Sequence, residues 1–240
     1  MGAEAGGAPQ AALGKPLSPH LEIGAREGYR LWSAAYDDAP NALLALEMRT
    51  LSVRLGDVRG QRILDAGSGT GRWMQWAQAR GAYVFGIDAC HEMVLKAEQK
   101  AGLGGRSALA DVRGIPLRDN AVDCAICSFT MGYLPSPGSV LRELARVSRC
   151  VIVSDLHPDA VRAGWTRSFR AGAQTYRFLH YEHSMAELDD CARRAGLTPC
   201  WRVEAALGEP EREIFRQAGR ESVFDEVCLL PAVLITLWQK

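Results

Sequence analysis

Three carboxylates, each closing an apolar run, are the residues of this chain best spaced to act on one ligand. Ile63 and Leu64 lead into Asp65 and then into a turn through Gly67, Gly69 and Gly71. Residues 82–87 lead into Asp88, and residues 107–110 into Asp111. A buried strand that ends in an acid and turns through alternating glycines makes a nucleotide-shaped socket, because glycine takes positive φ and lets a ligand approach the backbone closely. A carboxylate at a strand's C-terminal end can accept both hydroxyls of a ribose, the role expected of Asp88. Asp111 can accept an exocyclic amine while the Val112 amide donates to a ring nitrogen, a combination that selects adenine. A dinucleotide fits less well: its fingerprint wants glycine at the sixth place of G-x-G-x-x-G, and Arg72 stands there. Asp88 and Asp111 can also be ordinary helix N-caps, although three strands each finishing in Asp at near-equal spacing are hard to obtain from capping preference alone.

At these residues the chain resembles the class I S-adenosylmethionine-dependent methyltransferases, over roughly residues 29–153 and more weakly to the end. The resemblance implies an α/β fold with a doubly wound, mostly parallel seven-stranded sheet, Rossmann-like, with S-adenosylmethionine as cofactor. It implies that Asp65 and the turn of Gly67, Ser68, Gly69 and Gly71 hold the methionyl part, and that Asp88, with Ala89 beside it, takes the ribose hydroxyls. Met93 is then expected over the adenine ring, and Asp111 with Val112 on the adenine edge. Ser128 and Phe129, after the apolar run 122–127, are expected beside the methionyl group and the methyl donor, as is Tyr36. Met93 has an alternative as core filler in a helix that also carries Val94, Leu95 and Ala97. Residues 111–123 are similar to the small-molecule branch that includes quinone-ring methyltransferases.

Methyl transfer from a sulfonium is an in-line displacement, so the protein must chiefly align a nucleophile with the methyl carbon, and alignment alone can be worth ~7–11 kcal/mol. Aromatic faces steady the positive sulfur, and Trp32, Tyr36, Trp73, Phe129 and Tyr133 are the candidates, Tyr36 and Tyr133 foremost and Trp73 as core. A nucleophile that must lose a proton near neutral pH calls for histidine. His157, directly after the fifth expected strand, is placed for that base role, with His180 and His183 at the end of an insertion; each has a structural hydrogen bond as its alternative. No metal is expected: Ser128 stands where metal-dependent relatives present an acid, and no spaced His/Cys ligand set occurs. The run Ser128-Phe129-Thr130-Met131 also lacks the Asn or Asp followed by two prolines that nucleic-acid and protein-amide methylation would imply. The expected function is therefore methyl transfer to a small molecule, with oxygen favoured as acceptor over nitrogen, carbon or sulfur. A non-catalytic S-adenosylmethionine-binding sensor, or a structural partner of an active subunit, is the alternative from another class, and a nicotinamide-dependent oxidoreductase is the third.

The 240 residues carry 28 basic and 28 acidic side chains, for zero net charge. Nothing here supplies the positive field of a nucleic-acid binder, and no membrane partner is expected. Seven scattered cysteines suit free thiols in a reducing cytoplasm. Cys124 and Cys127 match C-x-x-C, but in a strand residues three apart face opposite ways. Residues 1–20, rich in Ala, Gly and Pro, read as a flexible tail without a signal peptide. Residues 21–240 read as one methyltransferase domain, a monomer or homodimer, with an N-terminal helical cap at 21–58 and a substrate-side insertion at 156–183. Strands are expected at 62–66, 83–88, 107–110, 122–128, 150–155, 199–204 and 232–238, the last antiparallel by resemblance, and helices near 72–80, 92–101, 140–147 and 184–196. Within the insertion, residues 169–178 read as a hairpin around a glycine turn, either a lid on the pocket or an edge extension or dimer contact.

Overall fold

The computed structural model describes residues 20–38 and 40–240. The expected tail, apart from His20, lies outside the described residues. A short strand, β1 (Leu21–Ile23), precedes two helices, α1 (Ala25–Trp32) and α2 (Ala42–Ser52). Asn41 starts the second helix, its side chain accepting from the Leu43 and Leu44 amides. Strands and helices then alternate: β2 (Arg62–Ala66), α3 (Arg72–Gln78), β3 (Tyr83–Asp88), α4 (His91–Glu98), β4 (Ser107–Leu109), β5 (Cys124–Ser128), α5 (Gly138–Val147) and β6 (Cys150–Leu156). After a short α6 (Pro158–Arg162) come β7 (Ser168–Ala171), β8 (Gln174–Phe178), α7 (Met185–Arg194), β9 (Thr198–Ala206), α8 (Glu209–Gln217), α9 (Glu221–Val227) and β10 (Pro231–Gln239).

Seven strands form one sheet in the order β4-β3-β2-β5-β6-β10-β9. It is parallel except for β10, which runs antiparallel to both β6 and β9. The expected Rossmann-like methyltransferase topology is present. Its two halves diverge between β2 and β5, and in such sheets ligands bind outside the carboxyl ends of the strands at that switch point. Strand alternation sorts the core. Ile63, Ile126, Ile152 and Ile235 face α2, α3, α8 and α9, while Leu64, Ala125, Val151, Val153 and Leu234 face α5 and α7. Cys124 and Cys127 fall on opposite faces, and Cys124 Sγ lies 3.2 Å from Cys150 Sγ on the neighbouring strand instead.

Two features depart from the expectation. Helices α8 and α9 between the last strands were not anticipated, because their charged sequence carries few apolar residues; Phe215 and Phe224 nevertheless anchor them, ring centroids 5.6 Å apart. The insertion hairpin forms around Gly172 (φ 59°), but it also gains a partner, since β1 pairs in parallel with β8 and completes a second sheet, β1-β8-β7. Trp32, Phe169 and Phe178 form a separate aromatic core between that sheet and α1. The hairpin and the N-terminal helix are thus one cap.

Candidate active site

A cavity of about 600 Å³ opens at the carboxyl ends of β2, β3 and β5 and extends beneath the cap, within the range of small-molecule sites. The glycine turn forms its floor. The Gly67 and Ser68 amides donate to the Ile87 carbonyl at 2.8 and 2.9 Å, which ties the turn to β3. A Cβ on Gly67 (φ 78°) would meet Thr130 Oγ1 at 2.1 Å, whereas at Gly69 (φ 53°) it would meet nothing within 4 Å. Gly71 does not line the cavity. Its φ of 81° starts α3, and its missing Cβ makes room for Leu103.

Asp88, at the end of β3, accepts from the Gly69 amide through one oxygen and from the Cys90 amide through the other, each at 2.8 Å. Burial pushes its carboxyl up, and three backbone amides oppose that. Asp65 is fully enclosed beside the turn. Burial pushes its carboxyl up to about 7, with Glu47 and Asp88 adding to the shift and Arg72 opposing it. Its Oδ2 and the Ser68 Oγ have no hydrogen-bond partner. An orphaned buried carboxylate oxygen and a cradle left open at Gly69 fit a ligand carrying an ammonium group and a ribose.

Met93, Ala89 and Val112 line the next stretch of wall. Asp111 lies there too, but Arg113 forks onto its carboxylate at 2.9 and 2.6 Å. That pairing holds the Asp111 carboxyl below the usual range. Asp111 would therefore share its oxygens between Arg113 and an adenine amine.

The hub of the site was not foreseen. Glu47 of α2 is completely buried, and its carboxylate accepts from Trp73 Nε1 at 3.2 Å, Ser128 Oγ at 2.7 Å, Ser154 Oγ and Arg72 Nη2. The same Arg72 nitrogen lies 3.1 Å from Ser128 Oγ. One acid thus bolts the N-terminal helices to α3, β5 and β6. In the sequence Glu47 is one polar residue in a helix, and only its burial gives it away.

On the cap side, Tyr36 and Tyr133 line the cavity with Tyr29, whose hydroxyl lies 2.8 Å from that of Tyr133. Burial raises the pKa of all three phenols. Phe129 takes φ 48°, a conformation rarely found in a bulky residue, which turns its carbonyl toward Arg167 Nη1 at 2.8 Å. Arg167 was also not foreseen. Its guanidinium lies 5.0 Å from the ring centres of both Phe129 and Tyr133.

The histidines are placed elsewhere. His157 is fully buried and does not line the cavity. One ring nitrogen accepts from the Asp159 amide as the cap of α6, and the other lies 3.1 Å from Glu204 of β9. It is a structural residue, and the expected base role is corrected: the chain after β6 turns the imidazole back toward β9. His180 lies behind the wall, 3.6 Å from Asp155, and His183 Nε2 is 2.9 Å from the Leu134 carbonyl.

The seven-stranded order with antiparallel β10, and the cavity at the switch point, are those of the Rossmann-like methyltransferase fold. Residues 64–150 match the family described as a methyltransferase domain. The malonyl-(acyl-carrier protein) O-methyltransferase of Hamiltonella defensa is 30% identical over 115 residues, 48% of this chain and 44% of the relative. The ubiquinone/menaquinone biosynthesis C-methyltransferase of Bdellovibrio bacteriovorus is 33% identical over 141 residues, 55% of this chain and 60% of the relative. The chain thus spans about half the length of these curated relatives. An S-adenosylmethionine-dependent methyltransferase from Mesorhizobium loti superposes with a TM-score of 0.63 at 20% identity, covering 81% of this chain and 98% of that one.

Proposed function

We propose that this chain transfers a methyl group from S-adenosylmethionine to a small-molecule acceptor, with oxygen as the accepting atom. One observation carries the reading: a single cavity joins the nucleotide-shaped floor at Gly67, Gly69 and Asp88 to a chamber walled by Tyr29, Tyr36, Tyr133 and Arg167. The two named relatives differ in acceptor, one acting on oxygen and the other on carbon. The N–H and O–H donors of this chamber favour oxygen.

When bound, the cofactor supplies a methyl group made electrophilic by its sulfonium. The residues do the rest. Asp88 holds the ribose hydroxyls and Asp65 the methionyl ammonium, while Met93 and Val112 enclose the adenine. Ser128 and Phe129 would lie beside the methionyl arm, and Tyr36 and Tyr133 would steady the positive sulfur. The cap excludes water, which strengthens each of these interactions.

Calorimetry and label transfer test the reading together. S-adenosylhomocysteine is expected to bind and nicotinamide dinucleotide is not, and label from methyl-labelled cofactor is expected to move into a component of a metabolite extract. Binding without any transfer would leave a cofactor sensor or a structural partner subunit. Binding of the dinucleotide alone would sink the assignment.

A further inference from the structure

Among the described residues, Arg167 is a buried cation without a counter-ion in contact. It is 5% exposed and lines the cavity, yet it makes a single hydrogen bond, from Nη1 to the neutral Phe129 carbonyl. Among the described residues its other guanidinium N–H groups have no acceptor, and no carboxylate oxygen lies within 4.0 Å of it. Two rings, Phe129 and Tyr133, lie against it. Asp155 is the acid that acts on it through space, but the Asp155 oxygens accept from the Gly132 amide at 2.7 Å and the Leu156 amide at 2.8 Å. Taking a guanidinium out of water is costly unless a charge partner and further hydrogen bonds repay it. One carbonyl and two rings fall short of that. The chamber therefore holds excess positive charge, and a sulfonium bound at its floor would increase it.

A second observation concerns protons. No histidine is among the described residues lining the cavity. On the cap side burial keeps the phenols of Tyr29, Tyr36 and Tyr133 protonated, while Asp37, which also lines the cavity, is paired with Lys100 at 2.9 Å and accepts from Thr70 Oγ1 at 2.9 Å. The acids Asp65, Asp88 and Asp111 lie along the floor and the adenine wall. A nucleophile entering the chamber thus meets a cation, and the acids of the cavity are already taken by ion pairs or by the cofactor's ammonium and ribose. It must arrive already deprotonated.

We propose that Arg167 binds the acceptor, that the acceptor is a small flat carboxylic acid, and that a carboxylate oxygen is the atom methylated. This rests on the methyl-transfer reading above. The guanidinium can hold a carboxylate through two parallel N–H donors, while the phenol rings of Tyr29, Tyr36 and Tyr133 pack against a planar body. In the transfer a lone pair on the carboxylate oxygen forms the new O–CH3 bond, the methyl–sulfur bond breaks, and its electron pair stays on sulfur. The two charges cancel, giving a methyl ester and a neutral thioether. No proton is released, so no base is required. Arg72, next to Gly71 in the chain, is already paired with Glu47, which leaves Arg167 to the acceptor.

Benzoate and benzamide, one charged and one neutral at the same shape, are the probes, titrated into protein saturated with S-adenosylhomocysteine. Benzoate is expected to bind at least about tenfold more tightly than benzamide, as a charge-assisted bidentate pair allows. R167Q should erase that preference while leaving S-adenosylhomocysteine affinity within about twofold, and R167K should restore part of it. In the extract experiment, the labelled product of the unaltered protein should release volatile methanol in mild base, as esters do and ethers do not. Equal binding of the two probes overturns the proposal, as does a base-stable product. Loss of S-adenosylhomocysteine affinity in R167Q and R167K alike also overturns it, because Arg167 would then grip the cofactor's own carboxylate. If R167Q does not fold, the probe ratio and the product's lability in the unaltered protein decide the matter. Failure to bind S-adenosylhomocysteine at all sinks the methyl-transfer reading as well, whereas transfer into a base-stable product sinks the carboxylate proposal alone.

Discussion

Asp65 is a cavity residue whose ionisation the fold controls directly. Its carboxyl is pushed up to about 7, first by burial and then by the nearby acids Glu47 and Asp88. The folded state therefore binds the proton more tightly than the unfolded chain does. The resulting stability is fully present in acid and is lost as pH rises from the ordinary carboxyl range through about 7. A ligand ammonium beside Asp65 rewards the ionised form instead. Affinity for S-adenosylhomocysteine should accordingly fall about tenfold between roughly pH 7.5 and pH 6, with a proton released on binding at the lower pH. Calorimetry in buffers of different ionisation heat reads both effects, and D65N should bind weakly with a flat pH profile. A flat profile in the unaltered protein would mean that Asp65 does not meet the ammonium. Glu47 gives a second prediction at this scale. Glu47→Ala leaves Arg72 beside an emptied pocket, and breaking a buried pair from one side costs roughly 3–5 kcal/mol. Urea unfolding should show that loss. Asp65 was legible in the sequence because a strand and a glycine turn frame it, whereas Glu47 and Arg167 owe their importance to contacts with distant segments that no local pattern encodes.

At the scale of elements, the cap is held by close approach. α1 meets the hairpin at Gly28, where an added Cβ would sit 2.3 Å from Phe178 Cε1 and 3.1 Å from Ile23 Cγ2. Phe178 cannot yield easily, since its ring already packs against Tyr29, Trp32, Tyr133 and Phe169 at centroid distances of 4.8 to 6.1 Å. Gly28→Ala, a better helix former, should therefore destabilise the cap by about 1–3 kcal/mol, the usual cost of overpacking. Hydrogen exchange separates this from global loss: amides of α1 and β8 should exchange faster while those of β2 and β5 hold. Unchanged exchange in α1 would show that the helix can shift without penalty. The hairpin was legible from its glycine turn between aromatic runs. Its pairing with β1 was not, because three residues carry too little pattern to mark a strand and their partner lies more than a hundred residues away. His157 shows the converse limit: its position after β6 could be read, but Glu204, which holds it in place, belongs to β9.

Across the whole molecule, the cavity is the seam between two cores. The sheet contributes Asp65, Asp88 and Ser128 to its lining, and the cap contributes Tyr29 and Tyr36 from the N-terminal segment and Arg167 from the start of the hairpin. The doubly wound order of the sheet could be read from the alternation of apolar strands and helices, but the seam could not, since it depends on the packing of a separate aromatic core. A ligand spanning the seam binds only when cap and sheet are both folded and correctly seated, so its binding energy counts toward each. With S-adenosylhomocysteine at about a hundredfold over its Kd, the free energy of unfolding should rise by about 2.7 kcal/mol. The distribution of that gain tests the architecture further. If the ligand reaches Tyr36 and the cap closes on it, exchange in α1 and β8 should slow along with exchange in β2 and β3, even though no residue of β7 or β8 lines the cavity. Protection confined to the sheet would mean that the cofactor occupies only the floor and that the chamber under the cap waits for the acceptor to bring the two halves together.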